Sequence, residues 1–223
     1  MSSPVEPPLA SLSLTHVYYN PNDHLSLLSA WLALLPQAMM VVYATTIFCT
    51  RELECLLMFA GQLSCELVNF VLKRVVREER PKLLHGKGYG MPSSHAQFSS
   101  YFFLYLTLLL LLRNLGGLRL PNWRRYFYVF AALIGSVSVA VSRIYLNYHT
   151  PKQVVVGYLA GLGWAMVWFI AVRIGREMKV AGRTGREWAL WMGEYLWVRD
   201  RCLGEDLIVE GWEAAQVREK KKL

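Results

Sequence analysis

Two histidines with polar neighbours are the residues of this sequence best suited to chemistry. His95 lies in the stretch MPSSHAQF, directly after Ser93 and Ser94 and shortly before a long apolar run. A capping box formed by Ser94 and Gln97 at the start of a helix would explain those two residues. It would leave Ser93 and His95 unexplained, so their role has to be inferred from the rest of the chain.

The second histidine lies in another polar stretch, and a third such stretch is basic. His149 belongs to SRIYLNYHTPKQ, six residues after Arg143, and KRVVREERP runs from Lys73 through Arg80 to Pro81. Arginine and lysine side chains hold phosphate oxygens in proteins, and hydroxyl groups and helix N-termini add donors. One imidazole could attack phosphorus while the other protonates the leaving oxygen. Because the sequence shows no His/Asp/Glu spacing typical of a metal site, these residues predict phosphoryl transfer without a metal or another cofactor.

The composition indicates a membrane protein. The chain has 223 residues, of which 54% are apolar, and a net charge of +8. Its basic residues lie between and after the apolar runs, where lipid headgroups and phosphates would lie. This distribution favours membrane lipids as partners and argues against a nucleic-acid partner. It does not indicate an oligomeric state.

Five apolar segments are candidates for membrane-spanning helices, which need about 20 residues; the third and fourth reach this length only if their flanking residues join the helix. They cover approximately residues 25–48, 52–72, 98–112, 126–141 and 154–174. We therefore predict an all-α membrane helix bundle over 16–186 with about five transmembrane helices, the first interrupted by Pro36. A disordered tail is expected over 1–15. The Trp-rich stretch EWALWMGEYLW at the start of a basic tail over 187–223 is typical of a short interfacial helix.

Helix parity places the three polar stretches on one side of the membrane. KRVVREERP and MPSSHAQF share the loop between the second and third segments, and SRIYLNYHTPKQ lies two crossings later. Most of the remaining arginines and lysines fall on the opposite side. By the positive-inside rule the C-terminus is then cytosolic and the polar stretches face the lumen.

Two patterns within the apolar segments concern the packing of the helices. Gly157 and Gly161 form a small-xxx-small step that lets two helices approach closely. The second segment carries four polar residues on one helical face, namely Gln62, Glu66, Asn69 and Lys73. These four residues could act as polar glue between helices, or they could line the floor of a polar site with Lys73 at its mouth.

Taken in order, the three polar stretches resemble the three-part signature of the type 2 phosphatidic acid phosphatase superfamily, which also contains the vanadium haloperoxidases. The matching residues are Lys73, Arg80, Pro81, Pro92, Ser93, Ser94, His95, Ser142, Arg143 and His149. Each stretch alone is a weak signal, whereas all three in this order are specific. The stretches YGMPSSHAQF, SRIYLNYHTPKQV and CELVNFVLKRVVREERP are most similar to the dolichyldiphosphatase branch. The resemblance runs from about His16 into the basic tail.

The resemblance implies a role for each matching residue. His149 would be the nucleophile that forms a phosphohistidine, and His95 would be the general acid. The phosphate would be held by Lys73, Arg80, Ser93, Ser94 and Arg143, with Pro81 and Gln153 in support. The implied substrate is dolichyl diphosphate, a polyprenyl diphosphate lipid, which would be cut to dolichyl phosphate and inorganic phosphate. In a eukaryotic cell this reaction would take place at the endoplasmic reticulum membrane and would recycle dolichol for protein N-glycosylation.

The sequence departs from the superfamily pattern at two positions and leaves two other functions open. Ser94 replaces a glycine, and Gln153 replaces an aspartate four residues after the proposed nucleophile. Gln153 could orient the ring of His149 through its carbonyl oxygen, or it could form a capping box with Thr150. The alternative functions are a phosphatase for phosphatidate or sphingoid phosphates, and a non-catalytic lipid binder or flippase. The presence of both histidines favours an enzyme.

Overall fold

The secondary structure is dominated by long helices. The structure, a computed structural model, describes residues 10–12, 17–81, 88–112, 121–198, 200, 212, 216–217 and 219–220. Its helices are α1 (His24–Leu32), α2 (Leu35–Thr50), α3 (Leu53–Val76), α4 (Ser94–Leu112), α5 (Asn122–Tyr145), α6 (Pro151–Glu177) and α7 (Gly185–Leu196). Two antiparallel hairpins pair β1 (Ala10–Leu12) with β2 (Val17–Tyr19), and β3 (Lys179–Val180) with β4 (Arg183–Thr184).

Five helical spans in the described residues are long and apolar enough to cross a membrane, as the sequence predicts. They are His24–Thr50, Leu53–Val76, Ser94–Leu112, Asn122–Tyr145 and Pro151–Glu177. The first span consists of α1 and α2, and Pro36 lies in the first turn of α2. Proline lacks the backbone N–H that the interior of a helix requires, so it is accommodated where a helix begins. The predicted interruption at Pro36 is therefore a break between two helices.

The two ends of the chain differ in how well they match the predictions. The expectation of disorder over 1–15 is wrong for Ala10–Leu12, which form a strand paired with Val17–Tyr19, while 1–9 and 13–15 lie outside the described residues. In the C-terminal tail the predicted short helix is present as α7. It begins at Gly185, two residues before the predicted boundary, because Thr184 and Glu187 form a capping box.

Helix α4 lies at the centre of the bundle and packs most extensively against α6 and α5. The close contact with α6 depends on the two glycines of the small-xxx-small step. A Cβ atom at Gly157 would lie 2.6 Å from the carbonyl oxygen of Ser93, and one at Gly161 would lie 2.2 Å from that of Gln97. The prediction that these glycines permit a close helix approach is confirmed.

Polar side chains join α3 to α4 inside the bundle. Gln62 Nε2 donates to the carbonyl oxygen of Phe98 at 3.2 Å, and Asn69 Nδ2 donates to Gln97 Oε1 at 2.7 Å. Gln97 Nε2 in turn donates to the carbonyl oxygen of Cys65 at 3.0 Å. Of the two interpretations of the polar face on α3, interhelical glue is therefore the correct one for Gln62 and Asn69.

The same contacts correct the interpretation of MPSSHAQF as a capping box. Helix α4 begins at Ser94, so Ser94 lies inside the helix. The side chain of Gln97 is fully buried and is bonded to α3. Gln97 therefore stabilises the helix pair rather than the end of its own helix.

Candidate active site

The three polar stretches meet at one end of the bundle, as helix parity predicts. The main-chain N–H of Ser93 donates to the carbonyl oxygen of Gln153 at 3.1 Å, and that of Gly90 donates to the carbonyl oxygen of Glu78 at 2.7 Å. The loop before α4 is thereby tied to the loop after α3 and to the first turn of α6. Backbone bonds of this kind fix the relative positions of the stretches more firmly than exposed side-chain contacts would.

His149 lies in the short loop between α5 and α6 and is only 3% exposed. The loop folds back on the end of α5, because the main-chain N–H groups of Tyr148 and His149 both donate to the carbonyl oxygen of Arg143, at 3.1 and 3.3 Å. Asn147 turns the chain with a φ of 56°, a left-handed conformation that asparagine tolerates better than most residues. The imidazole is thus buried next to the last turn of α5.

Gln153 both caps α6 and lies within hydrogen-bonding distance of His149, so the two alternatives for this residue are compatible. Thr150 and Gln153 form the capping box, and the main-chain N–H of Thr150 donates to Gln153 Oε1 at 3.2 Å. The same oxygen lies 3.3 Å from His149 Nδ1. Since an amide oxygen accepts only, Nδ1 carries the proton in this contact. The lone pair is then on Nε2, the nitrogen that would act as a nucleophile.

The charge state of His149 suits nucleophilic attack. Burial lowers the pKa of His149 to about 3, with further lowering by the positive charges of Arg143 and Arg80, while the hydrogen bond with Gln153 acts in the opposite direction. The imidazole is therefore neutral at physiological pH and keeps the lone pair that attack on phosphorus requires.

Arg143 supplies a buried positive charge in the last turn of α5. It is 4% exposed, and its guanidinium lies over the ring of Tyr148, 4.2 Å from the ring centroid. Its Nε and Nη1 atoms have no hydrogen-bond partner among the described residues. A buried cation with unpartnered N–H groups is costly unless an anion binds it. A phosphate group would provide both the charge and the acceptor oxygens.

Two further cations flank the same site. Lys73 lies in the last turn of α3 and Arg80 in the loop after it, and both are half-buried. A Cβ atom at Gly90 would lie 3.0 Å from Arg80 Cγ and 2.9 Å from Gln153 Oε1. Arg80 therefore lies beside the group that orients His149. Together with Arg143 these residues form the cluster of positive charge that the sequence predicts.

His95 is the second residue of α4 and lies near the same cations. Lys73, Arg143 and His149 are all near enough to His95 to interact with it electrostatically. His95 also lines a cavity of about 240 Å³ between α2, α3 and α4, and its lining includes Glu66 and Ser94. Glu66 thus lines the same cavity as His95, in contrast to Gln62 and Asn69 on the same face of α3, which are bonded to α4.

The remaining predicted residues differ in what they can contribute. Ser93 is fully buried; its N–H is bonded to Gln153, and its Oγ has no hydrogen-bond partner in the described part of the chain. The hydroxyl, rather than the N–H, is the group that Ser93 can offer to a phosphate. Ser94 is half-buried at the start of α4, whose N-terminus favours anions. Pro81 is exposed and ends the described part of the loop.

Two residues that contact the site were not among the sequence predictions. Tyr148 supports Arg143 through its ring and also accepts from the main-chain N–H of Tyr18 at 2.9 Å. Glu78 accepts from Gln153 Nε2 at 3.1 Å. The position of Tyr148 directly before His149 is a signal that could have identified it. Glu78 is next to Glu79 in a basic stretch, and the local sequence does not distinguish the two.

Comparison with known protein families shows to which family the chain belongs. The model of the PAP2 superfamily matches residues 54–177, a range that includes all three polar stretches. The chain belongs to the PAP2 superfamily. This membrane phosphatase is also similar over nearly its whole length to a putative dolichyldiphosphatase from Neurospora crassa, with 42% identity over 96% of this chain and 97% of the relative.

Other relatives support placement in the dolichyldiphosphatase branch. Dolichyldiphosphatase 1 from Dictyostelium discoideum is 33% identical over 100% of this chain and 95% of its own length. Dolichyldiphosphatase 1 from Homo sapiens is 39% identical over 71% of this chain and 70% of its own length. Among solved structures, a PAP2 type phosphatidylglycerolphosphate phosphatase from Bacillus subtilis has a TM-score of 0.55 at 21% identity, covering 68% of this chain and 78% of that one. The PAP2 phosphatase described here shares its fold.

Proposed function

We propose that this PAP2 phosphatase hydrolyses dolichyl diphosphate to dolichyl phosphate and inorganic phosphate. The names of its relatives support the substrate, and the site supports the chemistry. The observation that carries the proposal is the position of His149, with Nδ1 held by Gln153 Oε1 at 3.3 Å. Close by lies the buried guanidinium of Arg143, whose Nε and Nη1 have no hydrogen-bond partner among the described residues. A neutral nucleophile and a buried cation with N–H groups free to bind phosphate oxygens are what phosphoryl transfer to histidine requires.

In the first step His149 Nε2 attacks the terminal phosphorus. The bond between this phosphorus and the bridging oxygen breaks as the new phosphorus–nitrogen bond forms. The bridging oxygen leaves with the dolichyl phosphate and takes a proton from His95, which the negative charge of the bound diphosphate keeps in its imidazolium form. The product of this step is a phosphohistidine on His149 and a neutral His95.

In the second step water releases the phosphate. His95 accepts a proton from the attacking water, whose oxygen bonds to phosphorus while the phosphorus–nitrogen bond to His149 breaks. Inorganic phosphate leaves, and both histidines return to their starting states. One acid–base group thus serves both steps, because it is left deprotonated by the first.

The cations stabilise the charge that the transferring phosphoryl group carries. In the transition state this charge is spread over three equatorial oxygens, so fixed positive groups on several sides are effective. Lys73, Arg80 and Arg143 are these groups in our proposal, and Ser93 Oγ adds a donor. The cations come from three different elements, so they can surround a phosphate rather than contact one side of it.

A lipid leaving group fits the surroundings of His95. The cavity that contains His95 is also lined by Pro36, Met40 and Phe98. We infer that the proton donor lies between the polar cluster and this apolar surface. The phosphate that leaves with dolichol would remain close to His95 while the isoprenoid chain stays in the membrane.

The proposed location is the endoplasmic reticulum membrane, with the site facing the lumen. The motivating observation is the distribution of arginine and lysine in the sequence: outside the three polar stretches, most of these residues fall on the side opposite the site. A variant without native cysteines would carry one new cysteine, either Lys152→Cys on the site side or Lys179→Cys on the opposite side. In sealed microsomes an impermeant thiol reagent should label the second variant only. Labelling of the first variant alone would reverse the proposed orientation.

The experiment that tests the activity is phosphate release by the purified protein in detergent. Dolichyl diphosphate should be hydrolysed in excess EDTA, because the positive charge comes from side chains. Vanadate should inhibit the enzyme, because it mimics the pentacoordinate transition state of phosphoryl transfer. Phosphatidate and sphingoid phosphates, tested in parallel, should be poorer substrates. A strict requirement for magnesium, or a preference for phosphatidate, would contradict the proposal. The product would serve the recycling of dolichol for N-glycosylation.

A further inference from the structure

The amide of Gln153 uses all of its hydrogen-bonding groups, and one of its partners is a carboxylate. Gln153 is fully buried. Its Nε2 donates to Glu78 Oε1 at 3.1 Å and to the carbonyl oxygen of Glu79 at 2.8 Å. Its Oε1 lies 3.3 Å from His149 Nδ1 and accepts from the N–H of Thr150 at 3.2 Å. The amide therefore lies between the loop after α3 and the loop before α6.

The chemistry of these partners determines which way the amide faces. The carboxylate of Glu78 and the carbonyl of Glu79 accept hydrogen bonds only, so the NH₂ group of Gln153 has to face them. Its oxygen then faces His149, and Nδ1 has to supply the proton. With the amide turned around, its oxygen would face two acceptors. The tautomer of His149 is thus linked through one amide to Glu78.

Glu78 is held in place and ionised. Its Oε2 accepts from Lys152 Nζ at 2.9 Å, and its main-chain oxygen accepts from the N–H of Gly90 at 2.7 Å. The bonds from Lys152 and Gln153 lower the pKa of Glu78, so it is a carboxylate at neutral pH. Its side chain is 31% exposed, and water therefore weakens the direct effect of its charge on more distant groups. Its influence on the site passes mainly through the hydrogen bond to Gln153.

We propose that Glu78 is a positioning residue, which acts with the carbonyl oxygen of Glu79 to hold the amide of Gln153. The amide in turn favours the tautomer of His149 whose Nε2 is free to attack phosphorus. This inference rests on the proposed role of His149 as the nucleophile. Glu78 does not contact the reacting atoms. It limits His149 to the tautomer that can attack, and the ring then needs no rearrangement before the reaction.

The first test compares Glu78→Ala with a control on the same hydrogen-bonded group. Loss of a partner that orients a functional imidazole typically costs about 10- to 100-fold. Glu78→Ala should lower kcat on dolichyl diphosphate by about that factor and leave KM within about twofold. The control is Lys152→Ala, which removes the other side-chain partner of Glu78. The side chain of Lys152 is 69% exposed, and this variant should retain kcat within about twofold. Equal losses in both variants would show that Glu78 is only a surface tether, and would overturn the inference.

A double variant tests whether Glu78 acts through Gln153. If it does, Glu78→Ala combined with Gln153→Ala should be no slower than Gln153→Ala alone, because the path is already broken. Losses that multiply would contradict the proposed path. Wild-type activity of Gln153→Ala would also contradict the proposed path.

An exchange of the two side chains provides a test that keeps their size. Gln153→Glu alone should be strongly impaired, since two carboxylates would face each other. In Glu78→Gln with Gln153→Glu the amide at 78 can donate to the carboxylate at 153, which still accepts from His149 Nδ1. Activity should recover at least tenfold relative to Gln153→Glu but not fully, because the carboxylate at 153 still faces the carbonyl oxygen of Glu79. Failure to recover in a folded double variant would overturn the inference.

A spectroscopic measurement reports the tautomer directly. In protein labelled with ¹⁵N-histidine, the resonances of His149, identified by their loss in His149→Ala, should show a proton on Nδ1 in the wild type and a mixture of tautomers in Glu78→Ala. An unchanged tautomer would contradict the role of Glu78. Activity of His149→Ala separates the two proposals: if that variant still turns over, the proposed nucleophile is wrong. If it is inactive while Glu78→Ala is fully active, only the role of Glu78 is wrong.

Discussion

The main-chain N–H of Ser93 donates to the main-chain carbonyl of Gln153 over 3.1 Å, and this bond joins the start of α4 to the first turn of α6. One turn further along α6, Gly157 leaves room for the approach. A Cβ atom there would lie 2.6 Å from the carbonyl oxygen and 2.9 Å from the nitrogen of Ser93. The relative position of the second and third polar stretches therefore depends on a residue without a side chain.

Gly157→Ala should damage both stability and activity. The new methyl group meets backbone atoms that cannot rotate away, so the helices have to separate, at a cost of about 1–3 kcal/mol. Gly163→Ala on the same helix is the control, since a Cβ atom at Gly163 meets none of the described atoms within 4 Å. The midpoint temperature of thermal unfolding in detergent and the kcat should both fall in Gly157→Ala and stay unchanged in Gly163→Ala. Equal behaviour of the two variants would show that the Ser93–Gln153 contact does not limit the site.

His95→Ala should affect poor leaving groups more than good ones. A diphosphate releases a phosphate monoester, which is a stable anion, whereas a lipid monophosphate releases an alkoxide that needs a proton. General acid catalysis is worth about 10²- to 10⁴-fold, and the larger value belongs to the poorer leaving group. The measurement is kcat/KM for dolichyl diphosphate and for a lipid monophosphate in wild type and variant. A decrease by the same factor for both would assign His95 to phosphate binding.

The pH dependence should reveal the charges around His149. Its pKa of about 3 lies below the usual 6.5, so acidification from pH 7 towards pH 5 leaves the nucleophile neutral. Arg80→Gln removes one of the cations responsible, and the pKa of His149 should rise towards 6.5. The acid limb of kcat/KM, which reports protonation of the free enzyme, should then move to higher pH, whatever the loss in phosphate binding. Arg77→Gln, an exposed change in the same stretch, should leave the limb in place. If the acid limbs of Arg80→Gln and the wild type lie at the same pH, the proposed effect of Arg80 on the pKa of His149 is contradicted.

A buried ion-pair cluster should stabilise the end of the bundle opposite the site. Glu54 accepts from Arg176 Nη2 at 2.8 Å and from the hydroxyl of Tyr105 at 3.1 Å, and Arg176 also pairs with Asp200 in the C-terminal tail. Because Glu54 is buried and Arg176 is only 15% exposed, Glu54→Gln should lower the free energy of unfolding by about 1.5–3 kcal/mol with little change in kcat. Glu177→Gln is the control: its pair with Arg173 is exposed and 3.8 Å long, so the change should cost less than about 1 kcal/mol.

The membrane helices and the general position of the site follow from the sequence, for different physical reasons. Apolar runs of this length are stable only in a membrane or a large core, so the five spans are predictable from composition. Once the spans are known, parity alone brings His95 and His149 to the same side. The bounds are less accurate: α5 extends to Tyr145 and includes Arg143, because a helix continues beyond its apolar part when polar residues at its end are buried.

The contacts between the polar stretches were not predictable from local patterns. The Ser94–Gln97 spacing matches a capping box, but Gln97 is bonded to Asn69, which lies 28 residues away. Glu78 contacts Gln153 over a separation of 75 residues, and its neighbour Glu79 uses its main-chain oxygen instead. Such choices are determined by packing between helices, which a single sequence does not record.

The central claim is that His149 forms a phosphohistidine during hydrolysis of dolichyl diphosphate. The most direct test is to stop the reaction rapidly, without acid, and to look for phosphate bound to the protein. With substrate labelled in the terminal phosphate, wild-type protein should carry the label on His149, as located by peptide mapping. His149→Ala, shown to be folded by its thermal unfolding, should carry no label and release no phosphate. Label on another residue, or phosphate release by His149→Ala at a rate near that of the wild type, would contradict the account.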